Sequence, residues 1–178
     1  QHTKEITSII YEPKTKTVIT GSADGSIRQW DVEKKTQVEH FEGHPSLTVN
    51  KLYYDIAERL LISVSKKTAR IWKITPTTMM EEQAIKARTV KKAITKPIGE
   101  IGKGHNDDII SSYYNPKHHV LFTGGGDFDK SCRQWLCNTH IESGIYERHD
   151  HGINFLDFDK DLDLLVTASI KDKMCNCW

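Results

Sequence analysis

Tryptophan recurs at Trp30, Trp72, Trp135 and Trp178, each at the end of a short run of strand-forming residues: SADGSIRQW, VSKKTARIW, FDKSCRQW and KDKMCNCW. A histidine precedes each tryptophan at nearly constant distance, His2 by 28 residues, His44 by 28, His105 by 30 and His149 by 29. Self-similarity at this period marks a repeat architecture. A single unit of this size cannot bury its own apolar faces, so units must stack on one another. The chain is therefore expected to be a stacked all-β array.

Each unit divides into alternating runs separated by turn residues. The first reads EITSIIY, TVITGS, SIRQWDV and then the more polar TQVEHFE. The second gives TVNKLYYD, RLLISVS and TARIWKI, the third IISSYYN, HVLFTGG, SCRQWLC and THIESGIYE, and the fourth INFLDFD, LLVTAS and MCNCW. β-Branched and aromatic residues dominate, as half-buried strands require. The links EPKTK, DIAER, NPKHH and DKDLD are polar and turn-forming. Asp24-Gly25 is a tight hairpin signal, because glycine accepts positive φ.

Composition excludes several classes. The 25 basic and 24 acidic residues leave +1, which supplies no field to attract nucleic acid or an anionic membrane. No apolar run is long enough to span a bilayer. Cys132, Cys137, Cys175 and Cys177 lack a zinc-ligand spacing. They are expected to be reduced thiols packed as small hydrophobes, which fits an intracellular, reducing compartment. His149-Asp150-His151 is a possible chelate, but His149 already fills the repeat position. Gly124-Gly125-Gly126-Asp127 lacks the helix and the Lys-Ser/Thr of a phosphate loop, so a widened hairpin turn is expected there. No catalytic, cofactor-binding or metal-binding residue is assigned.

At these residues the chain resembles the WD-repeat family of β-propellers along its whole length. Gly43-His44, Gly104-His105 and Trp30-Asp31 carry the family's dipeptides. The resemblance implies an antiparallel β-propeller, about four blades of a larger, seven-bladed ring, with units at about 1–32, 43–74, 104–137 and 148–178. It also implies a buried tetrad of His, Ser or Thr, Asp and Trp in each blade. The first unit offers His2, Ser22, Asp24 and Trp30. In the second, Lys66 and Val64 stand where Asp and Ser are expected, leaving His44 and Trp72. The third has His105, Asp129 and Trp135 with a two-residue insertion and no matching Ser. The fourth has His149, Asp172 and Trp178 with Ser169 as a partner.

The resemblance implies a scaffold or adaptor that assembles proteins, without catalysis. The alternatives are a regulatory or sensory module fused to an enzyme or channel, and a cytoskeletal or axonemal assembly subunit. The runs WDVE, WKIT and WLCN lack the Arg that family members use to hold a ubiquitin-ligase adaptor. The start at Gln1 and the stop at Trp178 lead to the expectation of a fragment, completed by further blades of the same chain or by a second chain, that aggregates or dimerises on its own.

One segment breaks the period. Trp72 and Trp135 are 63 residues apart, against 42 and 43 for the other intervals. The extra residues, about 76–97, fall after the third strand of the second unit. Met80, Gln83, Ala87, Val90 and Ile94 recur at helical spacing, Thr78-x-x-Glu81 reads as a capping box, and Pro97 stops the run. Lys86, Arg88, Lys91, Lys92 and Lys96 outnumber Glu81 and Glu82. The segment is expected to be a solvated loop or short helix lying on the propeller; the alternative is a protruding helix whose basic residues are candidates for docking an acidic protein partner.

Overall fold

The computed structural model describes residues 1–74 and 95–178. Among these residues all regular structure is β and there is no helix. The first sheet contains β1 (Ile6–Glu12), β2 (Thr17–Ser22), β3 (Ile27–Asp31) and β4 (Thr36–Phe41). The second contains β5 (Lys51–Asp55), β6 (Leu60–Val64), β7 (Ala69–Lys73) and β8 (Gly99–Ile101). The third contains β9 (Ile109–Asn115), β10 (Val120–Gly125), β11 (Cys132–Leu136) and β12 (Ile141–Tyr146), and the fourth β13 (Phe155–Asp159), β14 (Leu164–Ser169) and β15 (Met174–Cys177). In every sheet the strand order follows the chain, the antiparallel meander expected of a propeller blade.

The turns follow from local chemistry. The last residue of each first strand caps the link that follows it. Glu12 Oε1 accepts the Lys14 N–H at 2.9 Å, and Asn115 Oδ1 that of Lys117 at 3.0 Å. Asp55 Oδ1 accepts the N–H groups of Ala57 and Glu58, and Asp159 Oδ1 those of Asp161 and Leu162. The residue just before the second strand then takes a left-handed conformation: Lys16, Arg59, His119 and Asp163, with φ between 50° and 58°. Such a residue turns the chain back in register for antiparallel pairing. Gly25 has φ 81°, and a side chain there would strike the carbonyl of His44.

The described residues form two compact units, residues 1–65 with 70–74 and 95–99, and residues 66–69 with 100–178. In the first unit Ile19, Ile27 and Phe41 pack against Val49, Leu52, Leu61 and Trp72, all buried. Phe41 and Trp72 meet edge to face with ring centroids 6.0 Å apart. Burying side chains of this size stabilises by about 1.5–3 kcal/mol each. In the second unit Val120, Phe122 and Cys132 pack against Ile153 and Leu165, with Tyr146, Phe158 and Trp178 at the margin. Phe122 and Phe158 stack at 5.9 Å.

The inserted residues leave after β7 and return before β8. Residues 75–94, which include most of the expected helix and Lys86, Arg88, Lys91 and Lys92, lie outside the described residues. The returning end is not helical. Thr95 forms a parallel bridge to Phe41: its N–H donates to the His40 carbonyl at 2.9 Å, and its carbonyl accepts the Glu42 N–H at 2.8 Å. Its hydroxyl donates to Glu39 Oε1 at 2.6 Å. This occupies part of the open edge of β4, an edge that unpaired would template association. Lys96 is exposed.

Candidate functional site

The residues with the most chemistry, four histidines and their partners, stand at the same place in each sheet. Each histidine lies in the segment entering its sheet, and its ring reaches a hydroxyl on the second strand. A buried imidazole and a buried indole N–H both need partners, and one hydroxyl serves both.

The third sheet shows the arrangement most directly. Trp135 Nε1–H donates to Thr123 Oγ1 at 2.7 Å, and that oxygen lies 2.6 Å from His105 Nε2. His105 Nδ1 lies 2.5 Å from Asp129 Oδ2. Because the indole only donates and the carboxylate only accepts, the hydrogens run one way, from Trp135 to Thr123 to His105 to Asp129. That direction sets the imidazole tautomer with its proton on Nδ1. Asp129 also accepts the Asn106 N–H at 2.9 Å and the Ser131 hydroxyl. The fourth sheet repeats the chain: Trp178 to Thr167 at 3.0 Å, Thr167 to His149 at 2.9 Å, and His149 to Asp172 at 2.9 Å.

The first sheet adds a relay. Trp30 Nε1–H donates to Thr20 Oγ1 at 2.8 Å, and Thr20 Oγ1 lies 2.7 Å from His2 Nε2. His2 Nδ1 meets Ser26 Oγ at 2.9 Å, and the Ser26 hydroxyl donates to Asp24 Oδ1 at 2.7 Å. Asp24 Oδ2 stands 3.5 Å from the imidazole and accepts the Thr3 N–H at 2.7 Å.

These distances correct the expected hydroxyl partners. Thr20 serves His2 and Trp30, not Ser22, whose hydroxyl donates to the Lys4 carbonyl at 3.2 Å and accepts the Asp24 N–H at 3.1 Å. Thr167 serves His149, not Ser169, whose hydroxyl is buried without a partner among the described residues. The third sheet has its hydroxyl after all, in Thr123. The physical reason is strand period: residues two apart share a face, so Ser22 and Thr20 point the same way, but only Thr20 lies on the rung next to the indole. A usable signal was the separation from histidine, 18, 19, 18 and 18 residues to Thr20, Ser63, Thr123 and Thr167.

The second sheet departs from the pattern. His44 Nε2 meets Ser63 Oγ at 2.7 Å, so a hydroxyl is present there too. The Trp72 N–H, fully buried, has no hydrogen-bond partner among the described residues. Lys66, in the aspartate's place, directs its ammonium to Asp108 at 3.2 Å, where Lys67 joins it at 2.8 Å.

The electrostatics match a structural role. Burial works to raise the Asp24 carboxyl, but the Ser26 hydroxyl and the N–H groups of Thr3 and Ser26 overcome it and hold Asp24 well below the usual carboxylate range. Asp129 is likewise held low, burial being outweighed by Ser131 and His105. Burial depresses His105 and His2 despite their aspartates, so both rings stay neutral near pH 7. A Thr–His–Asp series has the connectivity of a nucleophile, base and orienting acid. Here the Thr123 oxygen is fully buried and already accepts an indole N–H, so no substrate atom can approach it.

The other chemical candidates are also placed. His151 stands 3.7 Å from Asp127, while His149 is committed to Thr167 and Asp172. Gly124 and Gly125 end β10, and Gly126 is pressed against the Asp107 carboxylate, so close approach explains the glycine run. All four cysteines are free, but only Cys132 and Cys137 are buried. Burial pushes the Cys132 thiol up to about 12. Cys175 and Cys177 are exposed, against expectation. They lie on β15, the edge of its sheet, opposite Ala168 and Val166, on a face that also carries exposed Phe155.

The comparisons agree with this geometry. The family described as "WD domain, G-beta repeat" matches residues 1–31, 35–73, 95–135 and 142–178. The chain is 28% identical over 136 residues to transducin beta-like protein 3 of Bos taurus and 27% to that of Rattus norvegicus, covering 75% of this chain in each case. It spans only 14% of the length of these relatives. Among solved structures, the computationally designed Ika4 protein superimposes with a TM-score of 0.73 at 19% identity, covering all of this chain and 92% of that one. The designed Ika8 protein gives the same score and identity over 99% of this chain and 46% of its own. With its four matched repeats, four meander sheets and recurring Trp–hydroxyl–His networks, the chain belongs to the WD-repeat family.

Proposed function

We propose that this chain is an interaction platform that holds proteins together in a complex and performs no chemistry itself. WD repeats imply a protein-interaction scaffold in general terms. The observation that carries the specific reading is the internal use of the reactive side chains. In three sheets the histidine, the hydroxyl and the aspartate bond one another, so what differs between units is left to the loops. Loops on a rigid scaffold vary freely and bind partners.

The inserted residues, which the other repeat intervals lack, supply one such element. Lys86, Arg88, Lys91, Lys92 and Lys96 against Glu81 and Glu82 suit a partner with an acidic surface. Further blades, from the same chain or from a second one, complete the assembly. The compartment is reducing and intracellular, cytoplasmic and open to cytoskeletal or ciliary association. Four free thiols, two of them exposed, support that assignment.

The test is purification of the full chain from its own cells, followed by mass spectrometry of stoichiometric partners, with and without residues 77–96. Stable partners support the platform, and selective loss of one on deletion supports docking by the insertion. A chain that purifies without any stoichiometric partner overturns the platform, and an unchanged partner set dismisses the insertion's role.

A further inference from the structure

Phe128 is the most exposed large hydrophobic residue among those described, at 88%. It belongs to the turn between β10 and β11, where six residues separate the bonding Thr123 from Asp129, against four between Thr20 and Asp24. The third unit thus carries two residues beyond the first at this turn, and the structure assigns a task to each of Asp127 and Phe128.

Asp127 ties loops together. Its Oδ1 accepts the Gly152 N–H at 3.0 Å, and its Oδ2 pairs with the Lys171 ammonium. It therefore joins the β10–β11 turn to the segment before β13 and to the turn between β14 and β15. Phe128 is fixed through its backbone: its N–H donates to Asp107 Oδ2 at 3.1 Å. The next two N–H groups, of Asp129 and Lys130, both donate to the Gly126 carbonyl, at 3.0 and 2.9 Å. The Asp129 side chain is locked to His105 at 2.5 Å. The main chain on both sides of the ring is thus held in place.

A phenyl ring held in water on an ordered turn is organised for a partner. Binding loses little freedom, since only two side-chain torsions remain to be set. Interface energy concentrates in such central aromatic anchors. The surroundings indicate the partner's chemistry. Lys66 and Lys67 both meet Asp108, and Lys171 meets Asp127, so the neighbouring charges largely cancel. A near-neutral surface offers no field for phosphate polymers or an anionic bilayer.

We propose that Phe128 is the anchor by which this turn docks a protein partner that presents an apolar pocket of phenyl size with a near-neutral polar rim. The inference rests on the platform reading and gives it a site. The experiment places the photo-cross-linker p-benzoylphenylalanine at position 128 of the full chain in its own cells, with Ile56, an exposed turn residue of the second unit, as control position. One dominant protein adduct at 128, absent at 56, is expected. That protein, once purified, should bind the wild-type chain, lose at least tenfold in affinity to Phe128→Ala, and stay within about threefold for Phe128→Trp. Because the ring is solvated, Phe128→Ala should melt with the wild type. Equal adducts at both positions, undiminished binding of the adduct protein by Phe128→Ala, or Phe128-dependent binding to phosphatidylserine vesicles would each overturn the anchor. If Phe128→Ala retains all stoichiometric partners, the anchor fails and the platform stands. If the wild-type chain has none, the platform itself fails.

Discussion

The Thr20 hydroxyl stands between two aromatic rings, 2.8 Å from the Trp30 indole nitrogen and 2.7 Å from His2 Nε2. One oxygen accepts the indole proton and serves the imidazole. The same junction recurs at Thr123 and Thr167. Each joins the segment that enters a sheet to its second and third strands.

Thr123→Val keeps the shape of the side chain and removes the junction. The Trp135 N–H and His105 Nε2 are then both buried without partners. At about 1–3 kcal/mol for each orphaned group, the variant should lose about 2–6 kcal/mol, read as a lower urea midpoint. A midpoint within error of wild type would show that the network does not support the sheet.

Asp24→Ala should destabilise more than Lys66→Ala. Asp24 accepts from the Thr3 N–H, the Ser26 N–H and the Ser26 hydroxyl at 2.7–2.8 Å. Lys66 is 59% exposed and shares Asp108 with Lys67, so its pair contributes at most about 1 kcal/mol. Equal urea midpoints for the two variants would refute the ordering.

Trp135→Phe should cost more than Trp72→Phe, although both indoles are buried. Each loses ring volume, but only Trp135 loses a hydrogen bond, to Thr123 at 2.7 Å, whereas the Trp72 N–H has no partner among the described residues to lose. The difference should be about 1 kcal/mol. Hydrogen exchange of the β7 and β11 amides in the two variants measures it locally.

Acid should weaken the fold in two stages. His2 and His105 are depressed in the folded state by burial, so the unfolded chain takes up protons first. Their contribution is complete above the unfolded histidine value of about 6.5 and is lost as pH falls through the lower folded values. Asp24, Asp129 and Asp172 are also depressed. Their contribution is complete above about 3.9 and is lost below it as the folded carboxyls protonate. The melting temperature should fall on acidification from pH 7 to 5 and fall again below 4. In His105→Gln the first decline should be smaller. A melting temperature that rises between pH 7 and 5 would contradict the assignment.

A thiol reagent should react with two of the four cysteines in the native protein and with all four in denaturant. Cys175 and Cys177 are exposed, while Cys132 and Cys137 are buried and Cys132 is kept protonated to about pH 12. Rapid native modification of three or more would place one of the buried pair at the surface.

Much of this was legible in the residues alone. The spacing of His and Trp gave the repeat, the alternation gave the strands, and polar links beginning in Glu, Asp or Asn marked turns whose first residue caps the backbone. These are properties of neighbours in the chain, and the two-residue period of a strand enforces them. Asp24, Asp129 and Asp172 were likewise readable, because each lies in the turn whose own N–H groups it accepts.

What needed the tertiary structure was each choice between residues that the local pattern treats alike. Thr20 and Ser22 share a face, and only the register of β2 on β3 decides which oxygen reaches the indole. Cys132 and Cys175 occupy equivalent places in their third strands, and only the layer packed over each decides which is buried. Thr95 has no local reason to pair, and only the passage of β4 beside it gives its amide a partner. Phe128 reads as one turn residue among many until Asp107, Gly152 and Lys171 are seen holding the turn from adjoining loops. Residue type and spacing set which groups are available, while contacts between segments far apart in sequence determine which of them meet.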